Sequence, residues 1–201
     1  NFSISFIIII FSILSTVFCA NPTIPTFSEQ FSITISEYTN GNSSSIPGIV
    51  EQLVWDTVNN RQHLKISGSA FPTTVTQITR YDLGWFIQYT GNNPTLDNCQ
   101  NMTASGELPT FWVFPPSDLV KYLGESKENN QTIDTWEFYT KSDQIKFSAI
   151  SQSATPYSQL QTSIAKPHKT VLTKYTNWNP NPPPLSDYAF PQDGSCQIVT
   201  D

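Results

Sequence analysis

Charged residues are scarce in this chain. Asp, Glu, Lys and Arg together make up 13% of the 201 residues, whereas a typical share is about 25%. Only 10 residues are Lys or Arg, against 16 Asp or Glu, so the formal net charge is −6. No basic stripe is present to neutralise phosphates, which argues against binding to nucleic acid. The same deficit argues against electrostatic adsorption to anionic membranes.

The sequence also lacks the usual signatures of catalysis. It has no Gly-x-Ser-x-Gly elbow, phosphate loop, dinucleotide fingerprint or EF-hand loop. Five acidic residues lie on or near predicted strands: Glu51, Asp56, Asp82, Asp134 and Glu137. Their spacing does not single out a glycosidase pair. We therefore predict that the protein is not an enzyme, and a glycoside hydrolase or lectin-like sandwich is the remaining alternative.

Long apolar runs are absent after residue 20. Residues 6–14 carry no charge, proline or glycine, and small residues follow before Cys19 and Ala20. This pattern is typical of a secretory signal peptide, and the run is shorter than the roughly 20 residues that a spanning helix needs. We predict a signal peptide over residues 1–20 and no transmembrane segment. A bacterial lipoprotein is the weaker alternative, because Phe18 fits a lipobox poorly.

Cysteine is scarce as well. The chain has 3 cysteines, and removal of the leader leaves only Cys99 and Cys196. In an oxidising compartment two cysteines most simply form one disulfide, while two free buried thiols are the alternative. The disulfide would close a loop of roughly 100 residues and contribute up to about 4.7 kcal/mol. The 2 histidines, His63 and His168, are far apart, so no metal site is assigned.

Three glycosylation sequons follow the leader. Their acceptors are Asn42, Asn101 and Asn130, each close to residues typical of turns. If glycosylated, each predicts an exposed loop. Together with the leader they predict a secreted glycoprotein, located outside the cell or in a lysosome-like compartment.

The apolar residues follow the period of strands. Phe31, Ile33 and Ile35 alternate with polar residues. Residues 49–56 and 61–67 flank Asn59-Asn60 and predict a β-hairpin. Further strands are predicted over residues 77–90, 132–140, 144–150 and 171–178.

Helix signals are rare. One helix is predicted over residues 115–124, because Pro and Ser stand at its start and Gly124 at its end. Residues 179–184 are rich in proline and should lie extended on the surface. We predict an all-β class with one or two short helices, in a single domain over residues 21–201 with a Pro-rich C-terminal tail.

Several predicted strands are apolar on both faces or carry aromatics on the apolar face. This pattern indicates a strongly curved sheet whose concave side is filled by side chains or by a ligand. For any single tryptophan a filled core is the simpler interpretation. The candidates for lining a ligand pocket are Ile33, Ile35, Leu53, Trp55, Trp85, Ile87, Trp136, Phe138 and Phe147.

An ordered set of short segments resembles one protein family. The segments are residues 54–61, 85–89, Cys99, Leu108, Phe111, Phe114-Pro115, Leu123-Gly124, 133–136 and 183–196. In order and spacing they are similar to the hairpin, aromatic strand, central cysteine, Leu-Gly step, Trp strand and final cysteine of the ependymin-related proteins. The similarity covers residues 27–196. The chain departs from the family in its cysteines, because relatives commonly carry one in the segment that matches residues 151–163.

This resemblance implies a fold and a function class. Ependymin-related proteins are secreted glycoproteins whose fold is similar to that of the bacterial lipoprotein carriers, with two curved antiparallel sheets around a deep apolar pocket. The resemblance predicts binding of a lipid or another hydrophobic small molecule. It also implies calcium binding and, as an alternative function, calcium-dependent adhesion to the extracellular matrix. Asp187 and Asp193 near the tail have the oxygen chemistry that such an ion needs, but exposed acids are common, so no calcium site is assigned.

Overall fold

Strands dominate the protein. The computed structural model describes residues 21–41, 43, 45–190 and 196–198, so the predicted signal peptide, Asn42 and Asp193 lie outside the described residues. Within these ranges the strands are β1 (Gln30–Thr39), β2 (Ile49–Asp56), β3 (Arg61–Ser67), β4 (Val75–Arg80), β5 (Trp85–Thr90), β6 (Cys99–Thr103), β7 (Lys121–Glu128), β8 (Gln131–Tyr139), β9 (Asp143–Ile150), β10 (Pro156–Ser163), β11 (Thr170–Asn179) and β12 (Gln197–Ile198). Two short 3-10 helices span Ser117–Leu119 and Leu185–Tyr188.

The strands form one curved open sheet in the order β12-β6-β5-β4-β3-β2-β1-β11-β10-β9-β8-β7. Strands β1 to β11 pair antiparallel, and the short β12 pairs parallel with β6. The predicted all-β class with short helices is thus confirmed. The expected two sheets are one continuous sheet here, because β1 pairs with β2 along one edge and with β11 along the other.

The helix predicted over residues 115–124 is wrong. Only Ser117–Leu119 forms a 3-10 turn, and β7 starts at Lys121. Tyr122 is half-buried while its neighbours Lys121 and Leu123 are exposed, so the burial follows the period of a strand. Gly124 does not cap a helix: it has φ +112° beside the register shift that interrupts the pairing of β7 with β8.

The strand predicted over residues 77–90 is a hairpin. Its two arms are β4 and β5, and the chain turns back over residues 81–84, where Gly84 adopts φ +73°. The hairpin predicted around Asn59-Asn60 is confirmed, with β2 paired to β3 and Asn60 at φ 55°. Asparagine tolerates this left-handed conformation better than most residues do, so the pair Asn59-Asn60 is a sequence signal for this turn.

The two faces of the sheet carry different layers. Side chains that stand opposite each other in an antiparallel pair lie on the same face, so Phe31 shares a face with Trp55, and Trp136 shares a face with Phe147. We call this the cavity face. Val54, His63, Ile78 and Ile87 stand opposite one another across β2 to β5 and therefore share a face. Val54 is the neighbour of Trp55 in β2, so its side chain points to the other side of the sheet from Trp55. Ile78 and Ile87 therefore point to the opposite side, which we call the tail face.

Two non-strand segments cover the cavity face. The first is residues 21–29, which we call the N-terminal segment, and the second is residues 104–120, which we call the β6–β7 connection. Phe27 of the N-terminal segment is buried against Trp112 of the connection, with ring centroids 4.6 Å apart. Both rings also pack over Phe147 of β9. The aromatic core therefore lies between the sheet and these two segments.

The C-terminal tail, which in the described chain comprises residues 180–190 and 196–198, covers the tail face. Tyr188 is fully buried, and the Arg61 guanidinium carbon lies 4.5 Å from its ring centroid. Phe190 packs edge-on against Trp85, with centroids 5.3 Å apart. Cys196 forms the predicted disulfide with Cys99 in β6, and their Cα atoms are 4.6 Å apart. The tail is thus fixed to the face of the sheet that is remote from the aromatic core.

Candidate functional site

The candidate site is a cavity of about 600 Å3 between the sheet, the N-terminal segment and the β6–β7 connection. This volume lies within the range of about 300–1,000 Å3 that is usual for ligand pockets. Aromatic rings form much of its wall: Phe27, Phe31, Trp55, Phe111, Trp112, Phe114, Tyr122 and Trp136. Short polar side chains, with Glu29, complete it toward the exposed edge of the N-terminal segment.

Trp112 holds the aromatic wall together. Its ring lies 4.6 Å from Phe27, 4.8 Å from Phe111 and 5.5 Å from Tyr175, measured between centroids. Edge-to-face and offset pairs at such distances contribute about 0.5–1.5 kcal/mol each beyond the burial of their area. The packing of Trp112 therefore fixes the shape of the cavity wall.

The tryptophans present carbon rather than nitrogen to the cavity. The indole nitrogens of Trp55 and Trp112 are buried and have no hydrogen-bond partner among the described residues. The indole N–H of Trp136 donates to the carbonyl oxygen of Pro22 at 2.7 Å. Because these three nitrogens are buried or engaged, the ring faces and edges are what a ligand would meet.

The structure brings only two of the nine predicted pocket residues to the cavity, Trp55 and Trp136. Five others are buried in the core beneath the wall: Ile33, Ile35, Leu53, Phe138 and Phe147. Trp85 and Ile87 lie on the tail face, Trp85 next to Phe190 and Ile87 fully buried. The alternation of apolar and polar residues shows which residues of one strand share a face. It does not show which face of the next strand lies on the same side of the sheet.

Sequence reasoning missed most of the wall. The N-terminal segment contributes Pro22, Ile24 and Phe27, and the β6–β7 connection contributes Phe111 and Phe114. Neither segment has strand or helix periodicity. The available signal was the density of aromatic residues in a segment without regular structure, since loops that stay solvated rarely carry so many.

A second, smaller cavity of about 430 Å3 adjoins the first and shares Pro22, Thr23, Pro25 and Trp136 with it. Its wall includes the carboxylates of Glu125 and Asp134. The Tyr122 hydroxyl donates to Oδ1 of Asp134 at 2.6 Å. Burial, followed by this hydrogen bond, raises the pKa of Tyr122 to about 12. Tyr122 therefore stays a hydrogen-bond donor to Asp134 at neutral pH.

Two other acidic residues, Asp56 and Asp82, have structural partners. Asp56 is fully buried on the tail face and accepts hydrogen bonds from Gln30, Asn59 and Arg61. Asp82 accepts two hydrogen bonds from Arg80. Across the parts of the chain that the structure describes, no group of three or more His, Cys, Asp and Glu is arranged to hold a metal.

The predicted glycosylation sites differ in setting. Asn130 is exposed in the tight turn between β7 and β8, as its sequon predicts. Asn101 is half-buried inside β6, between β5 and β12. Its side chain lies on the tail face near Leu185 and Phe190, so this sequon is not in a loop. In residues 21–190 and 196–198, apart from positions 42 and 44, no helix is long and apolar enough to cross a membrane.

Comparisons with known proteins give a likeness of structure without one of sequence. No protein-family model and no curated protein matches the chain. Among solved structures, MucB aligns with a TM-score of 0.46 at 12% identity, over 85% of this chain and 60% of its own. PNGF-II aligns with a TM-score of 0.35 at 9% identity, over 85% and 30% respectively. A LolA superfamily protein from Nitrosomonas europaea aligns with a TM-score of 0.35 at 8% identity, over 83% of this chain and 93% of its own. The chain thus spans less than two thirds of the length of MucB.

Proposed function

We propose that this protein binds a hydrophobic or amphipathic small molecule, a lipid, in the cavity on the cavity face, and that its role is not catalytic. One observation carries the proposal: eight aromatic residues, whose tryptophans present carbon to the interior, line a cavity of about 600 Å3 together with short polar side chains. A concave apolar site with few polar groups is the usual form of a ligand-binding pocket.

The size of the cavity suits a single acyl chain. Each buried CH₂ contributes roughly 0.8 kcal/mol, so a tail of about twelve carbons would contribute about 10 kcal/mol before the costs of association. Micromolar binding corresponds to about 8.2 kcal/mol. The association costs therefore place a single-tail ligand in the micromolar range or weaker, and a second buried chain or a recognised head group would strengthen binding.

The proposal also concerns the setting of the protein. We propose a secreted member of the ependymin-related proteins, on the order and spacing of the segments that resemble that family. The disulfide between Cys99 and Cys196 supports an oxidising compartment. Calcium binding and matrix adhesion remain expectations of the same resemblance, and calorimetric titration of the secreted protein with Ca²⁺ tests the first of them directly.

Tryptophan fluorescence can locate a bound acyl chain. Trp55, Trp112 and Trp136 line the cavity, whereas Trp85 lies on the tail face. An uncharged monoacylglycerol brominated along its acyl chain quenches only the tryptophans that it touches. We expect saturable quenching that the Trp85→Phe variant retains and the Trp112→Phe variant loses in part. Quenching that disappears only with Trp85→Phe would place the ligand on the tail face and contradict the proposal.

A further inference from the structure

The charged groups that border the two adjoining cavities all carry one sign. Glu29 is part of the wall of the larger cavity, and Glu125 and Asp134 are part of the wall of the smaller one. Neither wall contains a lysine, arginine or histidine, as far as the structure describes it. None of the three carboxylates takes part in an ion pair within the described ranges.

The carboxylates of Asp134 and Glu125 stand together at one end of the aromatic wall. Asp134 in β8 and Glu125 in β7 stand directly opposite each other in the pairing of these strands. Asp134 is buried, and the hydrogen bond from Tyr122 holds its side chain in place. Glu125 is exposed. Trp136 belongs to both cavities, so an aliphatic tail among the rings would leave its head group next to these carboxylates.

Such a setting discriminates between head groups. A buried carboxylate repels an anion strongly, because the charges interact in a medium of low dielectric constant. A cation beside the same groups gains Coulomb energy and can also lie against the rings of Tyr122 and Trp136, which attract cations through their quadrupoles. An anionic head group would meet no positive side chain in either wall to offset the repulsion.

We propose that the ligand is an amphiphile with a cationic head group, an alkylammonium or protonated long-chain amine, whose head lies beside Asp134 and Glu125 while its tail fills the aromatic cavity. This inference rests on the proposed function, because it assigns the head group of the ligand that the same cavity would hold. It excludes free fatty acids as the preferred ligand.

Three amphiphiles with the same twelve-carbon tail test the inference, each used below its micelle concentration. They are dodecyltrimethylammonium, dodecanoate and the uncharged dodecyl maltoside, titrated against the folded protein by calorimetry. We expect the cation to bind at least about tenfold more tightly than the anion, since a tenfold ratio needs only a small difference in Coulomb energy at such a site. The uncharged amphiphile should fall between them.

Neutralising variants complete the test. The Glu125→Gln variant should lose part of the preference, and Glu125→Gln combined with Asp134→Asn should make the affinities for dodecyltrimethylammonium and dodecanoate equal. Asp97→Asn makes the same change of charge in an exposed turn and should keep the full preference. Thermal unfolding of each variant shows that it is folded, and the exposed Glu125 gives a single variant that disturbs no buried group.

The outcomes separate the two claims. Equal binding of the three amphiphiles, or tighter binding of dodecanoate, would overturn the cationic head group while leaving a hydrophobic ligand in the cavity. A cation preference that survives the double neutralisation would also overturn it. Failure of all three to bind would refute the proposed function together with the inference.

Discussion

The indole N–H of Trp136 donates a 2.7 Å hydrogen bond to the carbonyl oxygen of Pro22, 114 residues earlier in the chain. This bond fixes the N-terminal segment to strand β8. Both residues line both cavities. The position of the N-terminal segment, and hence one wall of the site, therefore depends on a side chain of β8, the strand next to one edge of the sheet.

Trp136→Phe should loosen this wall. The phenylalanine keeps most of the aromatic packing but cannot donate to Pro22, and a typical hydrogen bond contributes about 1 kcal/mol to stability. We expect the free energy of unfolding to fall by about 1 kcal/mol, as measured by chemical denaturation. Affinity for a single-tail amphiphile should fall severalfold in the same variant. Trp85→Phe on the tail face is the matched control, and an unchanged affinity in Trp136→Phe would show that the N-terminal segment does not shape the site.

Filling the cavity should abolish binding without unfolding the protein. Val120 is half-buried and lines the larger cavity, so Val120→Trp places an indole where the ligand tail would lie. We expect at least about a tenfold loss of affinity, which corresponds to about 1.4 kcal/mol. Val113→Trp is the matched control, because Val113 is 76% exposed in the same connection. Equal binding by the two folded variants would argue against the cavity as the site.

The stability of the protein should fall at acid pH because of Asp56. Burial alone would raise the pKa of this carboxyl, but hydrogen bonds from Asn59, Gln30 and Arg61 outweigh burial and lower it. A lowered pKa contributes stability that is fully present above the unfolded-state value near 3.8 and is lost as pH falls through the folded-state value. Chemical denaturation of the wild type should therefore show a loss of stability below about pH 4.

Asp56→Asn should be less stable than the wild type at pH 7 by about 3–5 kcal/mol, because it leaves the Arg61 side chain, which is only 13% exposed, without its counter-ion. The difference should narrow below pH 4, where the wild-type carboxyl also becomes neutral. Asn59→Ala removes the two hydrogen bonds that the Asn59 side-chain amide donates to Asp56. It keeps the one from the backbone N–H and changes no charge. The Asn59→Ala variant should retain only part of the wild-type dependence of stability on pH. A constant difference between wild type and Asp56→Asn from pH 7 to pH 3 would refute this assignment.

Removal of the disulfide should release the tail and spare the site. Cys99 and Cys196 are 97 residues apart in sequence, and the double variant Cys99→Ser with Cys196→Ser should lose about 2–5 kcal/mol of stability. We expect faster proteolysis of the chain after residue 179. Ligand affinity at a temperature where the variant is folded should be unchanged, since the tail covers the other face of the sheet. A parallel loss of affinity would show that the two faces are coupled.

Glycosylation should distinguish the two described sequons. Expression through a secretory pathway, followed by peptide mass spectrometry, should find a glycan on Asn130, which is exposed in a turn. Asn101 should be unmodified, because it lies half-buried in a strand under the tail. A fully occupied Asn101 would mean that the tail does not pack on this face in the secreted protein.

The sequence predicted the class of fold because its strongest signals are local. Phe31, Ile33 and Ile35 alternate over a strand whose inward face is buried, and Asn60 marks the hairpin turn with a conformation that its side chain tolerates. The helix over residues 115–124 failed for the opposite reason. Its capping residues are also compatible with a 3-10 turn that leads into a strand. The pairing of Tyr122 with Trp136 in β8 favours the strand over the helix.

The site was harder to predict because it depends on which segments cover which face. Trp55 and Trp85 look equivalent in sequence, yet the register of β2 to β5 puts them on opposite faces. Phe27 and Trp112 belong to segments without periodicity, and only the folded sheet shows that they meet over its surface. Residues such as these carry no local signal of their position.

Native mass spectrometry of the secreted, deglycosylated protein tests the central claim most directly. We predict an excess mass that disappears on organic extraction, matched by a recovered lipid, and a bare mass for the Val120→Trp variant from the same host. The wild-type protein with a bare mass, and with no uptake when cationic, uncharged and anionic amphiphiles are offered, would contradict the claim that this cavity holds a hydrophobic ligand.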